Sequence, residues 1–372
     1  MFDVVIIGSG MAGISIASEL SEERSVCILE KEKINSYHST GRSMAFYIES
    51  YGNKIVRKLT TASKNFFSGQ EDISSDKKLL NKRGVLHIGN KKQSHIVNNL
   101  YDNLNSINSN FKLLNKLETM DLLPCLKDEY IDTSVYDLEA SEIDINLMYD
   151  LYLKKLKKNN GVIINDIQIK ELVNTNNTWE IFSDKNLIKA KILINAAGAW
   201  CDEVASKAKI KKINLVPKKR TIFCFKPKNI SLNNLWPLAA DVEENFYFKI
   251  ENETVLASPA DETPTHPHDA QPDELDIARG IEKIKNATKF QFTSITNKWA
   301  GLRSFVNDKS HVIGFNKHIN NFYWFAGQGG YGIQTAPALA KIAANDILGK
   351  SNEFFIKEYC IDVDLINVKR FD

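Results

Sequence analysis

The chain has 372 residues, room for about two domains at ~150 residues each. It is 43% hydrophobic and 25% charged, as an ordinary globular protein is, and a formal net charge of +2 gives no case for nucleic acid as its main partner. The five cysteines are odd in number, scattered and without a C-x-x-C pair, which argues against a disulfide framework or a zinc site and for reduced thiols in the cytoplasm.

The first predicted element is a short buried strand, Val4 to Ile7, at the head of VVIIGSGMAG. Gly8, Gly10 and Gly13 then fill G-x-G-x-x-G spacing where a helix begins. The first glycine allows a tight turn, the second lets backbone approach a pyrophosphate, and the third lets helix pack on strand. Free N–H groups at that helix start would hold phosphates, so Met11 and Ala12 are counted with the glycines. Val26 to Leu29 reads as a second strand, and Glu30 stands 22 residues after Gly8, where an acid accepts hydrogen bonds from ribose hydroxyls. Together these mark a site for an adenine dinucleotide. A strand this close to the first residue leaves no room for a leader peptide, and no apolar run approaches ~18 residues. The expectation is a cytoplasmic protein with no transmembrane segment, peripheral attachment to the inner membrane face staying open.

Further along, Thr40-Gly41-Arg42-Ser43 predicts a turn and a helix start, and Tyr51 to Phe67 has helical spacing. Gly84 to Ile88 predicts a strand, and the polar stretch from Asn90 to Leu117 a helix plus surface loop. Ile145, Met148, Leu151 and Leu156 fall on one helical face. Three strand-like runs follow, Val162 to Ile169, Trp179 to Ser183 and Ile188 to Ile194, the last ending in INAAGAW. From Ile213 to Phe305 the pattern is β-runs and loops, broken by one helix, Leu275 to Ala287. Residues 322–348 repeat the opening grammar of apolar strand, glycine cluster and long helix.

That second glycine turn favours FAD over NAD. The pyrimidine end of a flavin gains charge on reduction, and a helix N-terminus placed there stabilises the anion. Gly329 and Gly330 would let the backbone touch the ring. The predicted fold class is α/β, with an α+β second domain. A Rossmann-like FAD-binding domain is built from residues 1–70, 142–209 and 307–372, and a discontinuous, sheet-rich substrate domain from 71–141 and 210–306.

Beyond these patterns, the chain resembles the D-amino-acid oxidase superfamily of flavoenzymes, and within it the bacterial FAD-dependent D-amino-acid dehydrogenases of the D-arginine dehydrogenase type. The likeness is carried in order and spacing by YHSTGRS, RGVL, SEIDIN, INAAGAWCD, PKKR, SPADET, AQPDELDIA, WAGLRSFVND and QGGYGIQT. It implies oxidative deamination: hydride transfer from the substrate α-carbon to flavin N5, then hydrolysis of the imino acid to a 2-oxo acid and ammonia. The electron acceptor, a quinone, an electron-transfer protein or oxygen, stays open. So does covalent attachment of the flavin at His38, since the string His38-Ser39-Thr40-Gly41 occurs in relatives with and without that bond.

The resemblance also implies site residues. Cofactor contacts fall on Lys31, His38, Ser39, Thr40, Arg42, Ser43 and Met44, then on Ile167, Ala197, Gly198 and Trp200. Late in the chain they fall on Gly301, Gly329, Gly330, Gly332, Ile333 and Gln334. Arg220 and Arg303 match the positions that bind the substrate carboxylate, which suits the guanidinium fork. Tyr247 matches a tyrosine supporting that carboxylate, and Tyr51 one lining the pocket. The pocket wall is expected at Phe46, Val85, Leu238 and Gly330. Here the sequence departs from D-arginine dehydrogenase: Val85 replaces an acid and Phe46 a histidine, so a basic side chain lacks its partners and neutral or apolar ones are expected. The HPHD string (266–269) reads as a loop, with no metal. The competing readings are an oxidase or demethylase of N-methyl amino acids and, less favoured, a non-enzymatic assembly factor.

Overall fold

The computed structural model describes residues 1–69, 77–105 and 110–371. The opening strand, Phe2–Ile7, lies between two parallel neighbours, Val26–Leu29 and Leu187–Asn195, so that Ile7 stands beside both Leu29 and Asn195. Phe322–Ala326 extends this parallel set beyond Leu187–Asn195, and Val162–Ile164 extends it beyond Val26–Leu29. Successive side chains of these strands point to opposite faces, and both faces are covered, which is why the runs are continuously apolar. Val4, Ile6, Val26 and Ile28 pack beneath the helices Met11–Leu20, Ile145–Lys158 and Gly332–Leu348. Val5, Ile7, Cys27 and Leu29 pack on the other face against Trp179, Ile181 and Val204.

An eight-stranded sheet forms the second layer, ordered Ile295–Phe305, Val216–Phe225, Thr254–Ser258, Tyr247–Glu251, Leu238–Asp241, Val85–Gly89, Thr133–Asp137, Phe111–Asn115. Leu86, Ile88, Phe223, Phe225 and Phe248 turn to one face and bury against the helix Glu274–Ala287 through Ile277 and Ile284. The opposite face carries Val85, His87, Leu238, Ala240, Tyr247 and Arg220, residues that line the cavity described below. A small sheet of Phe46–Tyr47, Ser141–Ile143 and Leu80–Lys82 stands beside them. Among the described residues no helix is long and apolar enough to cross a membrane.

Several local expectations are corrected. Thr40 to Ser43 forms a turn but starts no helix. The Thr40 hydroxyl instead accepts the N–H of Met11 at 2.9 Å, and the chain runs extended into Phe46–Tyr47. The helix expected over Tyr51–Phe67 begins only at Lys54 and breaks at Ser63 into two pieces. Inside the polar stretch 90–117 a strand, Phe111–Asn115, follows the helix Ser94–Asn105; Phe111 and Leu114 are buried where it pairs with Thr133–Asp137. Val162 to Ile169 is two strand ends separated by a loop in which Asp166 has φ 55°. Residues 106–109 of the polar stretch, and the domain junction expected at 70 and 71, fall at least in part outside the described residues.

Candidate active site

A single cavity of about 960 Å³ runs from the opening glycine turn to Arg303, between the two large sheets. At its first end Gly13 allows no side chain, since a Cβ there would lie 1.8 Å from the Gly8 carbonyl oxygen. This is the close packing of helix on strand that the spacing predicts. Gly10 differs: a Cβ on it would meet only the Thr40 hydroxyl, at 3.3 Å. Glu30 is buried with a fixed carboxylate. Its Oε2 accepts from the Ser9 N–H (2.8 Å) and hydroxyl (2.7 Å), and its Oε1 from the Glu32 N–H (2.9 Å). Ala12, Lys31, Ile167, Ala197, Gly198 and Trp200 line this end. The Lys31 ammonium lies 3.4 Å from the Trp200 ring centre. His38 leans on the same ring, and its Nε2 is 2.8 Å from Glu32 Oε1. Burial lowers the His38 pKa, against the bond to Glu32, which raises it.

Other expected residues line the cavity while their side chains are engaged by the protein. Ser39 donates to the Leu302 carbonyl at 2.5 Å. Arg42 donates to the carbonyls of Ala270 and Ala300 and pairs with Asp269, which gives the HPHD loop its role of covering that arginine. Ser43 accepts the Ala45 N–H, and Met44 and Gly301 line the middle of the cavity. The Gln334 amide binds the Ile48 backbone and the Thr60 hydroxyl, tying the closing helix to the strand region of Phe46. Gly329, Gly330, Gly332 and Ile333 carry that helix start along the cavity wall. Beside them the Gln328 Nε2 is buried without a hydrogen-bond partner.

At the far end, Arg303 Nη1 lies 3.3 Å from the Tyr51 hydroxyl. Among the described residues no carboxylate stands within 4 Å of this partly buried guanidinium. Gly330 is what makes room for the pair: a Cβ on it would come within 2.9 Å of both Arg303 Nη1 and the Tyr51 hydroxyl. Arg220, two residues out of register on the neighbouring strand, is in a different state. Its Nε donates to the Asp261 carbonyl at 2.9 Å, its Nη2 is 3.2 Å from Glu262 Oε1, and it lies 5.8 Å from the Tyr247 ring centre. Val85, Leu238 and Ala140 form one apolar cluster with Phe46, Ile48, Ala240 and Tyr247 around it.

Sequence reasoning missed Glu262, Arg57, His87 and Gln328, all of which line the cavity. Glu262 was within reach, as an acid of SPADET that pairs with Lys218 and Arg220 of PKKR. For Arg57 and His87 no sequence signal sets them apart from surface charge.

The sequence profile of the DAO family, described as FAD dependent oxidoreductase, matches residues 3–345. The chain belongs to this family. The mouse FAD-dependent oxidoreductase domain-containing protein 1 is 22% identical to it over 402 residues, covering 93% of this chain and 81% of that protein. Among solved structures, glycine oxidase from Bacillus cereus ATCC 14579 superposes with a TM-score of 0.80 at 17% identity, covering 96% of this chain and 97% of that one. Dithionite-reduced L-α-glycerophosphate oxidase from Mycoplasma pneumoniae, with FAD bound, gives 0.82 at 17% identity over 93% and 94% of the two chains.

As a DAO-family member the chain is an FAD-dependent oxidoreductase, and its residues fit that cofactor. Glu30, the acid expected at the ribose, is buried and oriented, the glycine turn is closed to side chains at Gly13, and Gln328 offers a donor unmet among the described residues at the second glycine turn. The cavity reaches both turns, and its volume lies at the upper end of ordinary cofactor sites.

Proposed function

We propose that this flavoenzyme oxidises amino acids at the carbon bearing the amine, with D-amino acids of neutral or apolar side chain as the first choice. The observation that carries the proposal is Arg303. A partly buried guanidinium with only a phenol beside it needs an anion, and an amino-acid carboxylate matches its fork. Tyr51 orients that carboxylate with Arg303, and Gly330 admits it to the cofactor side. Arg220, already engaged by Glu262, supports the site at one remove through Tyr247. The apolar cluster of Val85, Leu238 and Phe46 receives the first atoms of the side chain.

The bound FAD supplies the acceptor for two electrons and a hydrogen from the α-carbon. The released imino acid takes up water to give a 2-oxo acid and ammonia. The D-configuration rests on the motif resemblance. Oxidation of N-methyl or other small secondary amines is the second reading; it is favoured by similarity to glycine oxidase and to L-proline dehydrogenase of P. horikoshii, which is 20% identical with a TM-score of 0.77. A carboxylate clamp has no use in an assembly factor. Anaerobic bleaching of the bound flavin by a panel of D-, L- and N-methyl amino acids separates these readings, and a panel that leaves the flavin oxidised would end all of them.

A further inference from the structure

The cavity holds a further guanidinium that the proposed chemistry does not use. Arg57, on the helix Lys54–Ala62, lines the cavity wall. Its Nε donates to the Gly52 carbonyl at 2.9 Å, and among the described residues its two terminal nitrogens have no partner. It is partly buried, and burial pulls its pKa below the ordinary arginine value. Such a group is the residue type best suited to an anion, and the described residues supply none.

The acids around it are engaged or distant. Asp137 accepts from the Ser50 hydroxyl at 2.9 Å and from the N–H groups of Glu139 and Ala140 at 3.2 Å each. Glu49 pairs with Lys64 at 3.3 Å and accepts from Tyr47. Asp241 takes hydrogen bonds from Gln93, Asn245 and Tyr130. Glu244 is exposed and makes no ion pair with Arg57.

Arg57 and Arg303 are fixed by one tripeptide. Tyr51 touches Arg303 through its hydroxyl, and Gly52 holds Arg57 through its carbonyl. Ser50, before them, lies 3.4 Å from His87 Nε2. Burial first, then the charge of Arg57, pushes the His87 pKa down to about 4, so at neutral pH it stands as an uncharged hydrogen-bonding ring. His87 is two residues beyond Val85 on the same strand, with Ala240 opposite it as Leu238 is opposite Val85. Both positions turn to the cavity. Along this strand the wall therefore changes from apolar to polar, ending near a free cation.

We propose that Arg57, with His87 beside it, is a second anion-binding point, which holds a second anionic group on those ligands that carry one beyond the carboxylate on Arg303. A dicarboxylic amino acid is the simplest member of that class. This rests on the reading of Arg303 as the carboxylate clamp.

The test is ligand binding to the FAD-loaded protein, followed by perturbation of the flavin absorbance, with pentanoate and glutarate as matched mono- and dicarboxylate probes. Glutarate should bind at least about tenfold tighter than pentanoate, as expected for an added charge-assisted contact. In Arg57→Gln that ratio should fall to about one, and Arg57→Met serves with the same two outcomes if the glutamine variant fails to hold flavin. A wild-type ratio near one, or a ratio that survives the loss of Arg57, would overturn the proposal. Arg303→Ala distinguishes the two claims. Pentanoate binding unaffected by that change removes Arg303 as the clamp, while the dependence of the ratio on Arg57 is still read directly.

Discussion

Arg303 and Tyr51 meet at 3.3 Å across the cavity, and Gly330 is the residue whose missing side chain lets them meet there. The contrast with Arg220 supports the roles proposed for the two arginines. Both arginines face the same space, but Glu262 lies 3.2 Å from Arg220, whereas among the described residues no carboxylate stands within 4 Å of Arg303. On the function proposed above, the substrate carboxylate supplies the charge that Arg303 lacks.

Arg303→Ala should lower kcat/KM for an amino acid by about 2–5 kcal/mol, the usual loss when one partner of a desolvated charge pair is removed. Arg303→Lys should lose less, because charge remains while the planar fork is gone. Both variants should retain flavin, as measured by absorbance of the purified protein. An alanine variant with unaltered kcat/KM would take Arg303 out of the site.

Two glycines of the opening turn should fail in different ways. Gly10 has φ −66°, and a Cβ on it would meet only the Thr40 hydroxyl, at 3.3 Å, a side chain that can give way, so Gly10→Val should fold and yet purify without FAD, its side chain occupying the phosphate path. Gly13→Ala places a methyl on the Gly8 carbonyl and should lower the Tm of the protein itself. Full flavin content in Gly10→Val would displace the phosphates from this turn.

Side-chain preference should follow the wall. Val85 is fully buried beside Leu238, and each methylene placed there gains about 0.8 kcal/mol. A substrate guanidinium finds no acid among Phe46, Val85, Leu238 and Ala240, and meets the charge of Arg57 in the same cavity. D-Leucine or D-methionine should exceed D-arginine in kcat/KM by at least about tenfold. Val85→Glu should narrow or reverse the gap, and a wild-type preference for D-arginine would refute this account of the wall.

Asp137 gives a stability test with a defined sign. Burial raises its pKa to about 6, against the hydrogen bonds from Ser50, Glu139 and Ala140 and with the help of the Glu49 charge. The folded state thus holds the proton more tightly than the unfolded chain, whose aspartate titrates near 3.8. Its contribution is fully present below that value and is lost as pH rises through about 6, to the extent of about 3 kcal/mol. Asp137→Asn removes this dependence and keeps an acceptor for the same donors. Thermal melts at pH 4 and 7.5 should show the variant gaining on the wild type at the higher pH; a constant difference in Tm would show that the carboxyl titrates normally.

Much of the cofactor region is legible in the sequence alone. Strand, glycine turn, helix and second strand are local features, fixed by covalent backbone freedom and by side-chain period, and the strand Val26–Leu29 falls where its four apolar residues place it. The second glycine turn and the long helix Gly332–Leu348 follow the same local rules. Where a local reading failed, a distant partner had overruled it. Thr40 starts no helix because its hydroxyl serves Met11, 29 residues away, and Phe111–Asn115 is a strand because Thr133–Asp137 pairs with it.

The state of each charge in the cavity was decided only by the tertiary structure. The motif resemblance placed Arg220 and Arg303 together at the substrate carboxylate, and the sequence showed that Gly84, Val85 and Leu86 carry no charge. Folding brought Glu262 to Arg220 across 42 residues, left Arg303 with Tyr51 across 252, and left Arg57 facing the same space with no acid paired to it among the described residues. A charged side chain looks the same in a sequence whether it is paired, solvated or waiting for a ligand. What distinguishes these states is distance and burial, and both are set by which strands and turns the fold brings together.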